Sequence, residues 1–69
     1  MPNFIRTNSG YLVNVDHITY IGVEARVHTT DDARFDNDTA SQTDVLLAIR
    51  KAVKTGKVVK VKPGMAGGK

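Results

Sequence analysis

The chain has no cysteine, only 2 prolines and few aromatic residues (6%). Without cysteine there is no disulfide staple, no thiolate metal centre and no cysteine nucleophile. Long hydrophobic runs are missing too. The longest, Val45 to Ile49, is far too short to cross a bilayer, and the opening MPNFIRTNSG lacks the apolar stretch of a secretory signal. The expectation is a cytoplasmic protein with no membrane contact. Length sets a further bound: at 69 residues a chain buries only about 60% of its unfolded surface. That excludes a large enzyme with a deep cleft. What is present, 41% apolar and 25% charged residues, belongs to an ordinary folded domain rather than a disordered chain.

Charge is unevenly spread. The total is +3 with a pI near 9.5. Residues 1–43 carry Arg6, Arg26 and Arg34 against Asp16, Glu24, Asp31, Asp32, Asp36 and Asp38, a net −3. Residues 44–69 carry Arg50, Lys51, Lys54, Lys57, Lys60, Lys62 and Lys69 against Asp44 alone, a net +6. Clustered cations favour a polyanion because binding releases its condensed counterions. Exposed lysines also serve solubility.

Hydrophobic patterning predicts the elements. Asn3 to Thr7 and Tyr11 to Val15 read as two strands joined by a turn at Asn8-Ser9-Gly10, where Gly10 supplies a positive φ. Asp16-His17 interrupts them. From Ile18 to Thr29 the residues Ile21, Val23, Ala25 and Val27 alternate with polar positions, which predicts one strand with a bulge near Tyr20 to Gly22. Thr30-Asp31-Asp32 is a hairpin loop, and Ala33 to Asp36 a short strand anchored by Phe35. Ser41 with Asp44 resembles a capping box, and Gly56 closes the helix it starts. On that helix Val45, Leu46, Ile49, Ala52 and Val53, flanked by Ala48, form an apolar arc, with Leu47 opposite. Lys57 to Lys62 is a last strand with Val59 and Val61 inward. The expected fold is α+β in the order β-β-β-β-α-β: a small antiparallel sheet of four to five strands with one helix on a face. Residues 1–62 form the single domain and 63–69 a flexible Gly-rich tail.

Little in the sequence carries chemistry. His17 and His28 have no spacing that brings them together, and zinc needs three or four converging donors. A calcium loop beginning at Asp36 fails, with Ala40, Ser41 and Leu47 where ligands or glycine are required. No nucleophile turn or phosphate-binding glycine loop is present. Asn37-Asp38-Thr39 spells a glycosylation sequon that has no use without a secretory signal. No metal, cofactor or enzymatic activity is expected.

Two surfaces remain. One is the basic face of Arg50, Lys51, Lys54, Lys57, Lys60 and Lys62, which suits nucleic acid. The other is the sheet, whose apolar groups on both faces exceed what one helix covers. Its open face or edge, with Leu12, Tyr20 and the helix residue Leu47 as contacts, would then meet a protein partner or a second copy in a homodimer. The leading expectation is a non-enzymatic nucleic-acid-binding or regulatory module of bacterial or phage type; the alternative is a small accessory protein that docks on another protein.

Residues 4–21, FIRTNSGYLVNVDHITYI, resemble the closing strands of the LytTR-type DNA-binding domain of bacterial response regulators. Phe4, Arg6, Tyr11, Leu12, Val13, Asn14, Ile18 and Ile21 fit that pattern without a gap. The resemblance implies a DNA-binding, regulatory role. The family's DNA-facing His-Arg-Ser is matched by Asn8, Ser9 and Gly10, so those basic contacts do not carry over. The same strand-turn-strand stretch is also similar to a small protein family encoded among flagellar genes.

Overall fold

The computed structural model describes residues 3–37 and 39–65. Strand β1 (Phe4–Arg6) pairs antiparallel with β2 (Leu12–Asn14), Ile5 opposite Val13. Both of these side chains are buried on one side of the hairpin, as the two-residue period of a strand requires. Gly10, at φ 100°, makes the left-handed turn between them. A single 3-10 turn, Val15–His17, follows; the Asn14 side chain accepts from the Asp16 amide at 2.9 Å and starts it. This turn redirects the chain. Strand β3 (Ile18–Ile21) therefore leaves β2 and pairs antiparallel with β4 (Val27–Thr29), which pairs antiparallel with β5 (Arg34–Phe35). Helix α1 (Gln42–Thr55) comes next, and β6 (Val59–Lys60) returns parallel to β1.

The architecture is α+β, but the single sheet expected from the sequence is two: β2-β1-β6 and β3-β4-β5. The 3-10 turn at Val15–His17 lies between β2 and β3, and β3 pairs with β4 rather than with β2. The first sheet is also mixed, because β6 reaches β1 through a helical crossover. A second correction concerns Ile18 to Thr29, read as one long strand. Glu24 and Ala25 are both left-handed (φ 58° and 57°), so the segment folds back at the turn Val23–Ala25 and becomes a hairpin. Val23, expected inside, is 75% exposed. The bulge expected at Tyr20 to Gly22 lies earlier, as a register shift between Ile18 and Tyr20.

Ser41 and Asp44 do form a capping box: the Asp44 amide donates to Ser41 Oγ at 3.1 Å and the Ser41 amide to Asp44 Oδ2 at 2.8 Å. Gly56, at φ 71°, ends α1, its amide bonded to the Ala52 carbonyl. The buried stripe, however, is Asp44, Val45, Ala48 and Ala52. Leu46 and Val53 are 48% and 54% exposed, and Leu47, half-buried, borders an open hollow with Arg50, Lys51 and Lys54. Asp44 Oδ2 also accepts from the Gly64 amide at 3.2 Å, which ties the turn after the last strand to the start of the helix. Of the segment read as a tail, Pro63 to Met65 form a turn and Met65 packs on the core; residues 66–69, together with residues 1, 2 and 38, lie outside the described residues.

The core lies between α1 and both sheets: Ile5, Val13, Val27, Val45 and Val61, with Ala25, Ala40, Ala48 and Ala52. The alanines on α1 let the helix approach β1, β6 and the Val23–Ala25 turn closely. Two polar side chains, Thr7 and Asn37, are fully enclosed with them. Asn37 donates from Nδ2 to the Ala25 carbonyl at 2.8 Å, and its Oδ1 accepts from the Asn8 amide at 2.6 Å. Its carbonyl accepts from the Ala40 amide at 3.0 Å. Replacing it by alanine (Asn37→Ala) leaves two buried backbone groups without partners, a loss of about 1–3 kcal/mol. Asn37→Asp keeps the acceptor for Asn8 but sets a carboxylate against the Ala25 carbonyl. It is expected to be destabilised at neutral pH and to recover on acidification, as read by urea denaturation of both variants.

Candidate nucleic-acid interface

The six cations singled out in the sequence come from two adjoining elements. Arg50, Lys51 and Lys54 sit on the later turns of α1, where positive charge suits the helix dipole. Lys57 follows the glycine cap. Lys60 and Lys62 are exposed because Val61 between them is fully buried, and alternation sends its neighbours outward. Arg50, Lys51 and Lys54 line a hollow of about 700 Å³ together with Leu47 and Met65. Lys51, Lys57, Lys60 and Lys62 line a second, of about 580 Å³, with Thr55 and Met65. Lys51 and Met65 belong to both, so the two hollows adjoin. No described carboxylate lines either.

Four of the described acids lie elsewhere. Asp44, the one acid of residues 44–69, is 3% exposed and holds the helix cap and the Gly64 amide. Asp36 pairs with Arg26 at 2.6 Å, the one ion pair among the described residues, and this contact raises the Arg26 pKa through hydrogen bonding and then charge. Asp31 and Asp32 sit in the β4–β5 turn and border different hollows. Each of the six cations is exposed and makes no ion pair with a described carboxylate.

The apolar contacts expected for a protein partner do not converge. Leu12, 49% exposed on β2, Tyr20, 58% exposed on β3, and Leu47 on α1 border three separate hollows. Sequence reasoning missed Leu46 and Val53 as exposed apolar side chains, and it missed the stacking of Tyr20 on His28, whose ring centroids are 4.1 Å apart. The stack needs the hairpin register, which the reading of residues 18–29 as one strand concealed. Arg6 and the turn after it are used within the fold: Arg6 Nη1 donates to the Gly10 carbonyl at 3.2 Å, and Ser9 Oγ to the Asp36 carbonyl at 3.2 Å. Among the described residues no group of three or more His, Asp or Glu could hold a metal ion, and no helix is long and apolar enough to cross a membrane.

Set beside known proteins, the chain matches no family model, no curated protein and no solved structure.

The carboxyl of Asp31 is perturbed. The Thr29 hydroxyl donates to Asp31 Oδ1 at 2.5 Å and, with the Asp31 backbone amide and the charge of His17, holds that carboxyl below its ordinary value. A depressed folded pKa contributes stability above the unfolded value, about 3.9 for Asp, and that contribution is lost as pH falls through the folded value. In Thr29→Val the carboxyl should titrate closer to its ordinary value, and the stability difference from the parent should shrink in acid. Carbon-detected NMR titration of Asp31 checks the first point and denaturation at two pH values the second.

Proposed function

We propose that this protein is a small nucleic-acid-binding module of regulatory type, without enzymatic activity, that holds the phosphate backbone on its basic face. The observation that carries the reading is the meeting of Arg50, Lys51, Lys54, Lys57, Lys60 and Lys62 on two adjoining hollows whose linings contain no described acid. Cations that are not neutralised within the fold retain their full counterion-release drive. Contacts of this kind position a strand and read no bases. The resemblance of residues 4–21 to the LytTR-type domain points to the same class of ligand, although its match lies on β1 to β3 and not on the basic face.

A second reading has its own support. Leu46 and Val53 lie exposed on α1, and Leu12 and Tyr20 on the sheets, which suits docking on a protein or on a second copy. Capture of a partner that survives nuclease treatment would favour it.

Anisotropy titrations with duplex and single-stranded DNA at several salt concentrations test the first reading. The plot of log K against log salt should fall with a slope of about −4 for single strands and about −5 for duplex, and Lys60→Ala with Lys62→Ala should flatten it by about 1.5 to 2. Absence of binding at about 50 mM salt, or affinity indifferent to salt, overturns the proposal.

A further inference from the structure

The second sheet carries a row of three flat groups on one face. Tyr20 on β3 lies opposite His28 on β4, and His28 lies opposite Arg34 on β5, so phenol, imidazole and guanidinium are neighbours across the strands. The two rings stack, 12° from parallel. Gly22 allows this. A Cβ there would lie 3.0 Å from His28 Nε2, so a larger residue would push the imidazole off its place. Tyr20 remains 58% exposed in spite of the stack, because β3 is an edge strand and no further strand lies beyond it.

A hollow of about 440 Å³ opens at this row, with Thr30 and Asp32 on its rim, a volume within the usual range for small-ligand sites. An exposed phenol alone would accept any apolar contact. A phenol stacked on imidazole beside a guanidinium that has no described carboxylate partner selects a flat ring carrying negative charge. Asp32 at the rim opposes a run of phosphates, leaving room for one at Arg34, and it offers an acceptor to a ring amine.

We propose that Tyr20, His28 and Arg34 form a stacking site for the base of an unpaired nucleotide, Arg34 taking its phosphate. The ligand class rests on the nucleic-acid reading; the inference adds that the strand presents an unstacked base, which duplex does not.

The test uses the full chain, a single strand of about eight nucleotides, an abasic strand of the same length, and adenosine monophosphate. The base-bearing strand should bind about tenfold or more tightly than the abasic one, and Tyr20→Ala should remove that difference while Tyr20→Phe keeps it. The free nucleotide should shift the same Tyr20 ring resonances at higher concentration. Equal binding of both strands, or a Tyr20→Ala variant that still discriminates, overturns the stacking site and leaves the basic face standing. Discrimination that depends on Tyr20 but not on Lys60 and Lys62 supports the site and overturns the basic face. Failure of both strands to bind overturns both.

Discussion

The amide of Asn37 is the contact on which the rest of this small fold depends. It lies at 0% exposure and joins the turn after β1, the left-handed reversal at Glu24 and Ala25, and the segment leading into α1. Left-handed backbone is unfavourable for residues with a side chain, by roughly 1–2 kcal/mol each. The reversal persists because its carbonyls are held: Asn37 bonds that of Ala25, and the Gln42 side chain bonds that of Gly22 at 2.9 Å. From that reversal follow the β3–β4 hairpin, the burial of Ala25, and the docking of α1 beside it.

A chain this short has few large apolar side chains to enclose, and its core is mostly valine and alanine. Polar groups therefore take structural work that a larger core would make unnecessary. Asp44 joins the start of α1 to the turn after β6, and Asp36 joins the β5 end to Arg26. The consequence reaches the surface. Asp44 and Asp36, held in the cap and the Arg26 pair, do not line the hollows bordered by the cations of α1 and β6.

The two candidate surfaces are built differently. The basic face combines a helix end, a glycine-capped loop and a strand, all of which present exposed cations by simple alternation and capping. The ring row of Tyr20, His28 and Arg34 is a product of pairing across three strands. One surface depends on which residues are charged, the other on which residues become neighbours.

That difference marks what could be read from the chain. The β1–β2 hairpin with Gly10, the capping box of Ser41 and Asp44, the stop at Gly56, and the inward Val59 and Val61 were legible because each is set by residues within a few positions of one another. The basic residues were legible as a list, and the inward parity of β6 already sent Lys60 and Lys62 outward. Contacts across long separations were not. Asn37 reads as a loop residue until Asn8 and Ala25 surround it; Ile18 to Thr29 reads as a strand until its carbonyls are bonded from residues 37 and 42; Leu46 and Val53 read as core until the helix docks on Val45, Ala48 and Ala52. By itself the sequence determined the first hairpin, the helix with both its ends and the sign of each region's charge. Tertiary structure alone decided the division into two sheets, the face α1 buries and the meeting of Tyr20 with His28, since these follow from hydrogen bonds and packing between segments that no local pattern relates.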